Sequence, residues 1–260
     1  MDATIATGQS PAFLKLLAHD LRWQLLTALA HSDYSVQELV QRIDEPQNLV
    51  SYHLRRMREQ EVIAERRSSA DRRDVYYSLD LARFQERYAD ALGSLHPALD
   101  HAEATQTADA ALLEHKAARV LFLCTANSAR SQMAEALTRH LSQGRVEAFS
   151  AGSHPTHLHP YAVQVMASIG IDISQQRSKH FDEFLGQSFD RIITVCDRVR
   201  ESCPNFPGDP ERIHWSIADP VAASGSEQEV FHAFEQVSLQ LTNRIRFLLI
   251  LLEREQRGTL

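Results

Sequence analysis

The sequence predicts two domains of different class, a mainly α N-terminal domain and an α/β C-terminal domain. Its 260 residues exceed what one minimal core needs. Up to residue 79 the apolar pattern gives successive helices and then a short hairpin, whereas from residue 117 onward strands and helices alternate, as in a parallel sheet with crossover helices. The expected divisions are residues 1–92, a linker at 93–116, and residues 117–260.

Composition sets the outer bounds. Apolar residues make up 43% and charged residues 23%, ordinary values for a soluble globular protein. Cys124, Cys196 and Cys203 are the three cysteines, all in the second half, which excludes a disulfide-stapled secreted scaffold and favours a reducing compartment. The start MDATIATGQS has no basic region followed by an apolar run, and the apolar stretch Phe247 to Leu252 is too short to span a bilayer, so a cytoplasmic, membrane-free protein is expected. The formal charge is -7, with 12 basic against 18 acidic residues through residue 115 and 15 against 16 thereafter. Any nucleic-acid contact must therefore come from a local stripe.

In the first domain, residues 12–30 carry apolar side chains at helical spacing and predict one or two core helices. Ser35 and Glu38 form a capping-box pair that opens the helix SVQELVQRI. After a break at Asp44, Glu45 and Pro46 comes QNLVSYHLRRMREQ, in which Leu49, Val50, Leu54 and Met57 face inward and Asn48, Ser51, Tyr52, Arg55 and Arg56 face out. Two helices joined by a short turn, the second polar and basic, fit a helix-turn-helix. VIAERRSSADRRDVYYSL then gives a hairpin with Arg66, Arg67, Arg72 and Arg73 near its tip, a basic wing. From Arg55 to Arg73 there are 7 arginines and 4 acidic residues. A protein-binding or dimerisation module is the alternative to DNA binding. Residues 80–116 begin as a helix through Leu81, Phe84, Tyr88 and Leu92 and pass into a looser helical or flexible linker.

The order of elements and the phrase QNLVSYHLRRMREQEVI resemble the ArsR-type winged-helix repressors over roughly residues 10–92. The resemblance implies a homodimer on a double-stranded operator, with Ser51, Tyr52 and His53 near base edges and Arg55, Arg56 and the wing arginines mostly on phosphate. Arsenic-sensing members bind the metalloid through cysteines, and this domain has none, which leaves the inducer open. His96, Asp100, His101 and Glu103 match a second type of family metal site, but solvated linker side chains are the expected reading.

In the second domain RVLFLC, residues 119–124, is a nearly continuous apolar run and predicts a buried parallel strand. TANSARS follows, then a segment of helix composition, QMAEALTRHLSQ. A strand-to-helix loop of successive amides is a nest for a tetrahedral oxyanion, here spanning Cys124, Thr125, Ala126, Asn127, Ser128, Ala129, Arg130 and Ser131. The same field is expected to depress the pKa of Cys124. Arg130 can close the loop on the oxyanion, Ser131 can donate to the thiolate, and Asn127 tolerates a left-handed backbone.

CTANSARSQMAEAL resembles the low-molecular-weight tyrosine phosphatase superfamily, and its RSQMAE run looks especially like the arsenate reductases built on that fold. The resemblance implies a four-stranded parallel sheet, with strands near 119–124, 146–150, 190–195 and 212–215, and a long C-terminal helix near 228–254.

Cys196 ends another apolar strand and Cys203 lies seven residues later, before Pro204. That is two helical turns, too far for a disulfide while a helix persists, so bridging implies local unwinding. Two structural cysteines are the alternative. The TVCD and CP segments match the redox pair of thioredoxin-linked arsenate reductases. That match implies a relay in which Cys124 attacks arsenate, Cys196 attacks Cys124, and Cys203 attacks Cys196. No bound cofactor or metal is expected, and the reductant is thioredoxin, or a mycothiol or glutathione system.

Asp219 before Pro220 resembles the superfamily's general acid, with a pKa raised near an oxyanion. Val221, Ala222 and Ala223 stand where many phosphatases carry tyrosines, which disfavours a phosphotyrosine pocket. Asn127, Glu135 and Ser150 match a potassium site of some reductases, but Lys179 replaces its aspartate, so no potassium requirement is expected. His154, His157 and His159 are expected in a solvated loop. A tyrosine phosphatase fused to a regulator, or an arsenite-sensing repressor using the C-terminal thiols, are the competing functions.

Overall fold

The computed structural model describes residues 11–71, 73–94 and 117–256. It divides into two compact units, Met1–Glu65 with Tyr77–Leu112 and Arg66–Tyr76 with Leu113–Leu260. The expected linker lies almost wholly outside the described residues, as do His96, Asp100, His101 and Glu103.

The first unit opens with two helices, α1 (Ala12–Leu17) and α2 (Asp20–His31). A two-residue strand β1 (Tyr34–Ser35) leads into α3 (Val36–Ile43). Both halves of the Ser35–Glu38 capping box form, and Asp44 ends α3 in the left-handed conformation at φ 58°. Pro46 then starts α4 (Gln47–Glu59), its fixed φ being compatible with a first helical turn. Val50, Leu54 and Met57, at helical spacing, are fully buried with Leu25 and Leu39. Leu49, expected inward, is 38% exposed because it falls at the edge of that stripe. Strands β2 (Ile63–Arg67) and β3 (Val75–Leu79) make the hairpin, in a sheet ordered β1-β3-β2. Asp80 caps α5 (Leu81–Gly93), which sets Phe84 edge-on to Phe13 at 5.2 Å between ring centroids.

The second unit carries β4 (Ala118–Cys124), β5 (Val146–Gly152), β6 (Arg191–Thr194) and β7 (Glu211–His214) in one parallel sheet, order β5-β4-β6-β7. The central strand β4 is buried from Val120 to Cys124, the burial that a sheet covered on both faces imposes. Helix α6 (Arg130–Leu141) is buried from Arg130 to Thr138. Next come α7 (Pro160–Ser168), the short α8 (Asp197–Glu201) and α9 (Glu227–Gln256). Helix α9 turns Phe234, Val237, Leu241, Ile245, Leu248 and Leu252 inward, one stripe at three- and four-residue steps. Full burial of such a side chain contributes roughly 1.5–3 kcal/mol. The four strands and the long helix agree with the expected fold. Among the described residues no helix is long and apolar enough to cross a membrane.

Candidate active site

The carboxyl end of β4 delivers Cys124 to the start of a buried loop that runs into α6. Asn127 takes a left-handed φ of 45° and is fully buried. Its backbone N–H donates to Cys124 Sγ at 3.1 Å, and its side-chain amide donates to Ser131 Oγ at 2.8 Å and Ser150 Oγ at 3.0 Å. Ser131 Oγ is itself 2.8 Å from Cys124 Sγ. The thiol is thus held by a backbone amide and a hydroxyl whose orientation Asn127 fixes.

Arg130 is buried at the head of α6. Its guanidinium donates to the Ile217 carbonyl at 2.9 Å and to Asp219 Oδ2 at 2.8 Å. Asp219, at 40% side-chain exposure, also caps the turn Pro220–Ala222 through Val221 N–H at 3.2 Å. Asp219 is thereby ion-paired to Arg130, the residue that opens α6 directly after the loop from Cys124.

The sequence expectation for the Cys124 pKa is corrected. Burial pushes this thiol up, and outweighs the lowering by the Arg130 charge and the Ser131 hydrogen bond. A helix N-terminus and an arginine are visible in sequence, whereas complete desolvation at a strand end is not.

Cys196 is buried, with Sγ 3.3 Å from Thr125 Oγ1, the residue after Cys124. Helix α8 lies between it and Cys203, which is partly buried and whose thiol burial also pushes up, against the nearby Arg212.

Gln132 and Ser178 escaped sequence reasoning, and Lys179, read there only for its charge, also serves the loop through its backbone. Gln132 Nε2 donates to the Asn127 carbonyl at 3.1 Å, Ser178 Oγ to the same carbonyl at 2.7 Å, and Lys179 N–H to Asn127 Oδ1 at 2.8 Å. A Cβ on Gly152 would lie 2.5 Å from the Thr125 carbonyl oxygen and 2.9 Å from Asn127 N, so the adjacent strand must carry glycine there. Gly152 closing the segment FSAG was a readable signal of such a close approach.

In the first unit the exposed face of α4 presents Asn48, Ser51 and Tyr52, with Arg55 and Arg56 at 73% and 57% side-chain exposure. On the hairpin tip Arg66–Tyr76, which falls in the second unit, Arg67 and Arg73 are exposed, and Arg72 lies outside the described residues. His53 is a correction: it is 3% exposed, three positions after Val50 on the inward stripe, with its ring 4.4 Å from that of His19. It cannot reach a base edge from there. Arg66 also differs from the other wing arginines, since its guanidinium is engaged by the Asp197 carboxylate and the Ser216 hydroxyl.

Residues 119–257 match the family described as Low molecular weight phosphotyrosine protein phosphatase. The chain belongs to that family. Within this phosphatase family, the chain is 39% identical over 127 residues to the arsenate reductase of Halalkalibacterium halodurans, covering 49% of this chain and 91% of the relative. It is 37% identical over the same length, with the same coverage, to the arsenate reductase of Bacillus subtilis. A solved structure titled "An arsenate reductase in the phosphate binding state" is 30% identical, covering 50% of this chain and 95% of that one at a TM-score of 0.42. Residues 19–65 match the bacterial regulatory protein arsR family.

Behind the loop of this phosphatase-family domain, Lys179 Nζ lies 3.2 Å from Glu135 Oε2, and Ser150 Oγ donates to the same oxygen. Arg139 pairs with the other Glu135 oxygen at 2.7 Å. An ammonium thus already neutralises the carboxylate, and the residues present do not fit a potassium ion. His154 and His157 are exposed, as expected of a solvated loop. His159 departs from it, half-buried as the cap of α7 with its ring stacked 4.6 Å from Phe234. Among the described residues no group of three or more His, Cys, Asp or Glu side chains is placed to hold a metal ion.

Proposed function

We propose that this chain is an arsenate reductase working through a three-thiol relay and joined to an arsR-type DNA-binding regulator. The observation that carries the enzymatic reading is the second thiol beside the loop, Cys196 Sγ at 3.3 Å from Thr125 Oγ1, in a chain related to arsenate reductases. A phosphatase needs Cys124, Arg130 and Asp219 but has no use for that thiol.

Arg130 and the amides of residues 125–131 hold the oxyanion. Cys124 gives up its proton and its sulfur attacks arsenic. The sulfur–arsenic bond forms, an arsenic–oxygen bond breaks, and the leaving oxygen departs as water with a proton passed through Asp219. Burial, which pushes the Cys124 thiol up, favours the uncharged form, and that form does not repel an incoming anion. Ser131, bonded to the sulfur, supports the thiolate as it develops.

Cys196 then attacks Cys124. A disulfide forms as the sulfur–arsenic bond breaks, and the electron pair stays on arsenic, which leaves as arsenite. Cys203 attacks Cys196, which returns Cys124 as a thiolate and leaves the Cys196–Cys203 disulfide. Two electrons and two protons from a dithiol protein such as thioredoxin restore the start.

For the regulator, the exposed Asn48, Ser51 and Tyr52 face bases and Arg55, Arg56, Arg67 and Arg73 take phosphates, on an operator bound by a homodimer.

The deciding assay is arsenate turnover with thioredoxin, thioredoxin reductase and NADPH. Cys203→Ser should abolish multiple turnover and leave one stoichiometric release of arsenite. Unchanged steady-state reduction in that variant would overturn the relay. Hydrolysis of p-nitrophenyl phosphate that survives loss of both Cys196 and Cys203, without arsenate turnover in the parent chain, would establish a phosphatase instead.

A further inference from the structure

Asp197 directly follows Cys196, opens α8, and is completely buried. A buried carboxylate needs compensation on every oxygen, and four residues supply it. Oδ1 accepts from Ser216 Oγ at 2.8 Å and lies 3.2 Å from His214 Nε2. Oδ2 accepts from the Ser69 backbone N–H at 2.7 Å, from Ser69 Oγ at 3.0 Å, and from the Arg66 guanidinium.

Arg66 and Ser69 lie in the segment Arg66–Tyr76, the hairpin tip, which belongs to the second compact unit. Arg66 Nε also donates to the Ser216 carbonyl at 3.0 Å. Two further α8 residues hold the same tip. Arg198 Nε donates to the Ser69 carbonyl at 3.3 Å, and the Arg200 guanidinium lies 5.0 Å from the centre of the Tyr76 ring. Although burial opposes its charge, hydrogen bonds from His214 and Ser69 and the Arg66 guanidinium hold the Asp197 carboxyl far below the usual carboxylate range.

We propose that Arg66 and Ser69 are positioning residues for the redox pair: they lock α8 as a helix and so favour the dithiol form of Cys196 and Cys203, and closing the disulfide releases the hairpin tip. The inference rests on the thiol relay above. A disulfide needs Cα atoms within about 7 Å, and in this scheme α8, which with its C-cap Ser202 fills every position between Cys196 and Cys203, unwinds as the bond closes. Unwinding moves Asp197, Arg198 and Arg200, the residues that grip the tip. In the coupled reaction two thiols lose two electrons and two protons to an oxidised dithiol reagent, and a sulfur–sulfur bond forms.

The test is the thiol–disulfide equilibrium of the full chain in a Cys124→Ser background, in buffers of reduced and oxidised dithiothreitol, with the two states counted by thiol-trapping mass spectrometry. Arg66→Met should shift the equilibrium toward the disulfide by about tenfold, about 30 mV for a two-electron couple. Ser69→Ala, which removes only a hydroxyl donor, should shift it the same way by less. Arg83→Met should leave it unchanged, because Arg83 is an exposed α5 arginine paired with Glu86 at 2.9 Å. Equal equilibria in the parent and Arg66→Met, or an equal shift in Arg83→Met, would overturn the lock. Absence of any Cys196–Cys203 disulfide across the buffers would overturn the relay, and the lock with it.

Discussion

Lys179 and Glu135 form a partly buried ion pair, 3.2 Å apart, behind the loop that holds Cys124. The ammonium supplies from within the chain the charge that a bound cation would supply. Turnover in potassium chloride should therefore equal turnover in sodium chloride at the same ionic strength. Lys179→Ala should lower stability by about 1–3 kcal/mol, less than a fully buried pair because Arg139 still neutralises one oxygen. Potassium-specific stimulation of the parent enzyme would count against this view.

Because burial raises the Cys124 thiol, its alkylation should not reach a plateau near neutral pH. In a Cys196→Ser, Cys203→Ser background the iodoacetamide rate at Cys124 should keep climbing beyond about pH 8.5, the free-cysteine midpoint. Arg130 lowers this pKa, so Arg130→Ala should move the midpoint higher still. A midpoint below 7 would refute the burial argument.

His53 bears on the acid stability of the first unit. Burial, then the charges of His19 and Arg22, hold its pKa below the ordinary value of 6.5, and its Nδ1 has no partner among the described residues. The unfolded chain therefore takes up the proton more readily than the folded one, and stability is lost as pH falls from 6.5 toward the folded pKa. The loss is bounded by about 1.4 kcal/mol per pH unit. His53→Phe should flatten it, as read from hydrogen exchange of α4 amides between pH 7.5 and 5.5. The same pH slope in parent and variant would exclude His53 as its source.

Gly152→Ala puts a methyl group against the Thr125 carbonyl and the Asn127 amide, both backbone atoms of the anion loop. It should reduce turnover by at least about tenfold, since misplacement of catalytic groups by about 1 Å costs that much or more. Gly144→Ala, at a φ of 77° with nothing within 4 Å of its Cβ, is the comparison. It carries backbone strain alone and should affect stability without selectively affecting turnover.

How much of this was legible in the sequence depends on range. The Ser35–Glu38 cap and the run from residue 119 to Cys124 are local patterns, and each forms as written. The loop residues sit next to one another in the chain, so their convergence was readable too. His53 was misplaced although the period of α4 holds the answer, because Val50, His53 and Met57 follow the same three- and four-residue steps. Residue type suggested a reader of bases, and periodicity should have prevailed. The Cys124 pKa turns on a balance of burial against local charge, and the burial comes from distant elements. Arg66 and Asp197 are 131 residues apart, and no local pattern joins them.

The buried Asp197 has a further consequence through thermodynamic reciprocity. If forming the disulfide weakens the grip on Arg66, then anything that draws Arg66 away makes the disulfide easier to form, by the same factor. A phosphate taking that guanidinium would act as an effector of the thiols without touching sulfur. The cycle closes within one polypeptide, so its strength is independent of protein concentration.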